Sequence, residues 1–130
     1  MTFVSEDSTR RWCQVAAQAA SAKKGEDIVI LDVGGVLAIT DAFVIVSASN
    51  DRLVRSLADE IEQQVKAAGG PAPLRVEGLR EAQWVLMDYG DFVVHVFLDE
   101  TRRFYDLERL WQDAPRVDWD DSPAAMAAGE

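Results

Sequence analysis

With 130 residues, 48% of them apolar and 28% charged, the chain has the size and make-up of one soluble globular domain. Its net charge of −10 disfavours broad electrostatic binding to nucleic acid; the simplest reading is solubility, and a basic protein surface is the partner it would attract. Cys13 is the only cysteine, no apolar run approaches the ~18 residues of a membrane helix, and the acidic start MTFVSEDSTRRW lacks the apolar core of a targeting signal, so a reducing, cytoplasmic setting is expected.

The spacing of Trp12, Val15, Ala16 and Ala19 predicts a helix over 8–24, with Gly25 placed to stop it. DIVILDV (27–33) reads as a buried strand, Gly34-Gly35 as a tight connection, and AFVIVSAS (42–49) as a second strand rich in β-branched residues. Ser49 or Asn50 can cap a helix that runs to about 68, in which Leu53, Leu57, Ile61 and Val65 recur every four residues beside Val54 and Ala58. Asp51 with Arg55, and Glu62 with Lys66, are expected as ion pairs on its outer face. Gly69-Gly70-Pro71 ends it, PLRVE (73–77) is a short strand, and GLREAQ is a loop.

WVLMDY-GD-FVVHVFL predicts a hairpin, with glycine at the first central position of a type II′ turn. A last helix is expected over about 100–111, capped by Asp99, with Phe104, Leu107 and Trp111 on one face. The order of elements gives an α/β fold of the α+β type, a mixed sheet of about five strands packed with helices. It occupies one domain over 1–111, and the acidic, alanine-rich tail 112–130 is expected to be disordered.

A two-residue loop at Gly90-Asp91 would pair Tyr89 with Phe92, Asp88 with Val93, Leu86 with His95 and Trp84 with Phe97. Alternation then puts Val85, Met87, Tyr89, Phe92, Val94 and Val96 on a buried face. Trp84, Leu86, Asp88, Val93, His95 and Phe97 share the opposite face. There His95 lies diagonal to Asp88, and a hydrogen bond between them would raise the imidazole pKa. Such a pair can simply order a sheet surface, serve acid–base chemistry, or titrate at a dimer interface. Trp84 and its neighbours suit either a face covered by a helix or a protein-binding patch.

Signals of catalysis are weak. Asp32 and Asp41 in LDVGGVLAITDAF could be carboxylates of a divalent-metal nucleotidyltransferase, but that chemistry wants a Gly-Ser turn and a D-x-[DE] pair, and neither occurs. GxSxG, HExxH, GxGxxG and phosphate-loop motifs are missing too. No cofactor and no metal site are expected.

The segments DIVILDV, ITDAFVIVSAS, VEG, WVLMDYGDFVVHVF and ETRRFYDLERLW, in this order and spacing, resemble the ribosomal silencing factor family, also called Iojap-like proteins. The resemblance covers about residues 11–111 and leaves the tail outside the family core. It implies a nucleotidyltransferase-like topology without the catalytic motif, and a translational repressor rather than an enzyme. It further implies binding to ribosomal protein L-fourteen on the large ribosomal subunit, a steric block to joining of the small subunit when nutrients are short, and a homodimer of the free protein. Carried over by position, the partner-contacting surface would centre on Trp84, Asp88, Tyr89, Asp91 and His95, flanked by Phe97, Glu100 and Arg102. Tyr89 stands where many family members carry an aliphatic residue.

Overall fold

A computed structural model describes residues 7–35 and 39–119. The chain runs α1 (Asp7–Ala22), β1 (Glu26–Asp32), β2 (Ala42–Ala48), α2 (Asp51–Ala67), β3 (Arg75–Glu77), β4 (Trp84–Asp88), β5 (Phe92–Leu98), α3 (Asp99–Tyr105) and α4 (Leu107–Leu110). Five strands form one mixed sheet in the order β1-β2-β5-β4-β3. β2 and β5 are parallel and the other neighbours antiparallel. This is the mixed α+β sheet expected, with the last helix broken in two. Among the described residues no helix is long and apolar enough to cross a membrane.

Local chemistry explains the boundaries. Asn50 caps α2 by accepting the Leu53 N–H at 2.8 Å, which satisfies one of the orphan donors of the first turn. Val54, Leu57, Ala58, Ile61 and Val65 form its buried stripe. At its end Gly69, at φ +93°, donates to Lys66, and Gly70 donates to Val65, so two loose carbonyls are closed in a Schellman motif. α1 ends in the same way, but its left-handed residue is Lys24 rather than Gly25. Gly25 follows where a Cβ would lie 2.6 Å from Val46 and 2.9 Å from the Ala20 oxygen, so its contribution is close approach rather than left-handed backbone. On the outer face of α2 the Asp51–Arg55 pair forms at 3.7 Å. Glu62–Lys66 is not among the ion pairs of the described residues.

α1 and α2 cover one face of the sheet. β2, an interior strand between β1 and β5, is buried along its whole length. Ile30, Val44, Val46, Val85, Met87, Phe92, Val94 and Val96 meet the apolar stripes of both helices in the main core. The hairpin has the expected register: Trp84 opposes Phe97, Leu86 opposes His95 and Asp88 opposes Val93. Tyr89 donates to the Phe92 carbonyl at 2.9 Å, and Gly90 takes the positive φ of +87° required at the first position of a II′ turn.

Two expectations are corrected at the C-terminal end. The helix over 100–111 is interrupted at Asp106, which adopts left-handed φ 47° and ψ 54°. Asp99 is the first helical residue, and Leu98 holds the cap position without a side-chain bond. The break places Phe104 in solvent while Leu107 and Trp111 pack on the sheet, so the three do not share a face. Nor does order end at Gln112. Asp32 N–H bonds to Pro115 at 2.8 Å, Val117 N–H bonds to Ile30 at 2.9 Å, and Trp119 donates its indole N–H to Ile28 at 3.2 Å. Residues 115–119 thus run as a strap along the outer edge of β1, satisfying backbone groups that a free edge would expose. Residues 120–130 lie outside the described part.

Candidate docking site

The second sheet face can be built from the pairing register alone. Because side chains alternate, Glu26, Ser47, Phe97 and Trp84 form one row across the strands. Val29, Ile45, His95, Leu86 and Glu77 form the next row. Leu31, Phe43, Val93, Asp88 and Arg75 form the third. Over β1, β2 and part of β5 this face is closed: Leu31, Val33, Phe43, Ile45 and Phe97 form a second small core, against which Leu107, Trp111 and Ala114 pack. Towards β4 and β3 the rows open to solvent. Leu86, Val93 and Asp88 are half-buried there, and Arg75 and Glu77 are exposed.

Trp84 stands at the boundary between the covered and the open half. Its ring lies 4.8 Å from Phe97 beneath it and 5.0 Å from Tyr105 beside it. Its indole N–H donates to His95 Nδ1 at 3.1 Å. His95 is only 4% exposed, with its ring edge-on to Phe43 at 4.7 Å. Burial pushes its pKa down from 6.5 to about 4, because an apolar surround penalises the cation. The imidazole is therefore neutral near pH 7; Nδ1 accepts from Trp84, and Nε2 carries the proton with no hydrogen-bond partner among the described residues.

This overturns the Asp88–His95 pair and the sign of its pKa effect. Asp88 instead turns back on the hairpin, where one carboxylate oxygen accepts the Gly90 N–H at 2.8 Å and the other lies 3.4 Å from Arg75. Diagonal neighbours on a hairpin can meet, but both groups have nearer partners.

The residues carried over from the resemblance divide sharply by exposure. Trp84 and Asp88 reach the surface, as do Asp91 at the turn and Glu100 on α3. Tyr89, His95, Phe97 and Arg102 are buried, so they cannot present their side chains to a partner. Tyr89 stacks on Phe92 at 4.4 Å in the main core, on the face opposite Asp88. Its hydroxyl has no hydrogen-bond partner among the described residues, and burial, reinforced by nearby Glu62, pushes its pKa up. Arg102 points inward, with Nε and Nη2 on the two Glu108 carboxylate oxygens at 2.9 and 2.6 Å and Nη1 on the Ser47 hydroxyl at 2.7 Å. That fork holds the Glu108 carboxyl below its usual range.

Two exposed side chains complete the surface. Phe104 is 79% exposed and Tyr105 55%. Phe104 and Tyr105 lie edge to face at 5.0 Å, so with Trp84 they make a continuous aromatic shelf. An unbroken helical periodicity puts Phe104 on the buried side, which hid the shelf. Beneath the opposite end of Trp84, Gly78 at φ +91° has no room for a Cβ against the Trp84 carbonyl oxygen, which accounts for the glycine of VEG.

Elsewhere the chemistry is sparse. Among the described residues no group of three or more His, Cys, Asp or Glu side chains could hold a metal ion. Asp32 accepts the Gly34 N–H at 3.2 Å, and the Asp41 carbonyl accepts from Val33 and Gly34 at 3.0 Å, so both residues serve the turn. A polar cleft of about 560 Å³ lies between the β1 edge and α3; Arg102, Arg103 and Arg116 there are offset by Glu26, Asp27, Asp99, Asp106 and Glu108.

The model of the family described as "Ribosomal silencing factor during starvation" matches residues 6–130, so the match extends through the tail expected to lie outside it. Ribosomal silencing factor RsfS of Bacillus subtilis is 43% identical over 107 residues, covering 82% of this chain and 90% of that protein. The protein of the same name from Halalkalibacterium halodurans is 39% identical over 111 residues, covering 85% and 94%. A more distant relative, the mouse "Mitochondrial assembly of ribosomal large subunit protein 1", is 30% identical over 82% of this chain and 46% of its own length. A crystal structure of a Chromobacterium violaceum protein superimposes with a TM-score of 0.75 at 31% identity, covering 88% of this chain and 93% of that one. Sequence and fold together establish that the chain belongs to the ribosomal silencing factor family.

Proposed function

We propose that this protein represses translation by docking on ribosomal protein L-fourteen of the large ribosomal subunit and sterically blocking association with the small subunit, notably under nutrient limitation. The observation that carries the reading is the aromatic shelf in which half-buried Trp84 meets exposed Tyr105 and Phe104, on a chain of net charge −10. An aromatic anchor on a strongly acidic chain suits a basic protein surface, and the charge repels bare phosphate. The names of the relatives point to the ribosome, and that of the mouse relative to its large subunit. Steric exclusion needs a stable complex and no reaction, so no cofactor enters and the function is not enzymatic. The setting is the cytoplasm, where the ribosomes are. When the chain is free, the same shelf is the surface for a homodimer.

The experiment is co-sedimentation with purified large subunits. Trp84→Ala and the gentler Tyr105→Ala, both checked for folding by circular dichroism, should lose most of their binding. Asp88→Lys should weaken it most at low salt, where charge complementarity is least screened. Undiminished co-sedimentation of both aromatic variants would place the docking surface elsewhere.

A further inference from the structure

We infer that Arg102 is a positioning residue of the docking surface: its buried fork with Glu108 sets the helix break that lays Tyr105 against Trp84, and it makes no contact with the partner itself. The inference rests on the docking reading above and deepens it. Arg102 and Glu108 are six residues apart. In an unbroken helix that spacing turns them about 240° away from each other, so they could not meet. The left-handed residue Asp106, whose N–H returns to the Arg102 carbonyl at 2.8 Å, folds α4 back and brings Glu108 within reach. The resulting fork is bidentate, and the third donor group of the guanidinium is fixed to Ser47 on β2.

Three elements are thereby tied at one point: α3, α4 and the row of the second face that continues through Phe97 to Trp84. The consequences lie on either side of the break. N-terminal to it, Phe104 and Tyr105 stay in solvent, and Tyr105 lies 5.0 Å from Trp84. C-terminal to it, Leu107 and Trp111 enter the second core. Arg102 is 6% exposed, so any effect it has on an outside partner must pass through α3. The fork calls for a planar guanidinium; a lysine ammonium keeps the charge and cannot span both carboxylate oxygens and the serine.

The test compares four variants for two readouts. The readouts are affinity for purified large subunits and the Trp84–Tyr105 contact in the free protein, seen as ring-current shifts and near-ultraviolet circular dichroism. Arg102→Met with Glu108→Gln removes the fork without stranding a buried charge. It should keep its far-ultraviolet spectrum, lose the contact signature and bind at least tenfold more weakly. Arg102→Lys should lie between it and the wild type. The exchange Arg102→Glu with Glu108→Arg restores a fork of opposite polarity and should recover both the signature and most of the affinity. Trp84→Ala is the reference. Binding within twofold of wild type by the neutral pair, with Trp84→Ala defective, overturns this inference alone. An exchanged pair that regains the signature but does not bind makes Arg102 a direct contact and also overturns it. Normal binding by Trp84→Ala overturns the docking reading and this inference with it.

Discussion

His95→Gln should make the stability of this protein markedly less sensitive to acid. His95 is 4% exposed and its pKa is lowered from 6.5 to about 4 by burial. Between those values the unfolded chain binds a proton that the folded chain refuses, so stability falls as pH falls through this window and the loss is complete below about 4. The lowered pKa corresponds to a total loss of about 3 kcal/mol, of which about 2 kcal/mol has gone by pH 5. Protonation also turns Nδ1 from an acceptor into a donor facing the Trp84 N–H, so the contact under the shelf is lost with it. Glutamine keeps an acceptor for that N–H and does not titrate. Glu108, whose carboxyl is held low by Arg102, adds acid sensitivity of its own, but equally in both proteins, so it cancels in the difference. The assay is urea unfolding of wild type and variant at pH 7.5, 6, 5 and 4.5. The stability gap between them should move by about 2 kcal/mol in favour of the variant from pH 7.5 to 5. Parallel profiles, or a His95 resonance titrating near 6.5, would refute the buried neutral imidazole.

Tyr89→Phe should raise stability by about 1 kcal/mol and leave ribosome binding unchanged, because it removes a buried hydroxyl with no hydrogen-bond partner from the main core; thermal unfolding and co-sedimentation check the two halves. Ending the chain after Asp113 removes Pro115, Val117 and Trp119 from the β1 edge and should cost roughly 2–4 kcal/mol. At high concentration the bared edge should also associate beyond the oligomeric state of the full chain. An unchanged unfolding midpoint with an unchanged oligomeric state would show that the strap contributes nothing.

The features legible in the sequence were those with local causes. Gly90-Asp91 set the hairpin register, and period 2 then sorted its side chains correctly between two faces. The four-residue recurrence from Leu53 to Val65, Asn50 before it and Gly69-Gly70 after it marked α2 within a residue or two. What escaped came from contacts distant in sequence or from one unusual dihedral angle. Asp106 reads as an ordinary helical acid, and nothing nearby predicts left-handed backbone there; without that break Phe104 is assigned to the wrong side and the shelf is invisible. The strap carries no alternation and only scattered backbone bonds, so its acids and proline read as a tail. Sequence alone leaves open whether a helix covers the second face, and without Leu107, Trp111 and Ala114 placed over it His95 reads as the partner of an acid rather than of the Trp84 indole. Of the residues carried over from family resemblance, Trp84, Asp88, Asp91 and Glu100 are accessible to a partner, whereas Tyr89, His95, Phe97 and Arg102 are buried.

The central claim is exclusion of one ribosomal subunit by a protein seated on the other. It is tested most directly by titrating the full chain into purified large and small subunits and measuring joined ribosomes by gradient sedimentation. Joined ribosomes should fall in proportion to the protein bound on the large subunit, and Trp84→Ala should leave them intact. Undiminished joining with the large subunit saturated by wild-type protein would contradict the account.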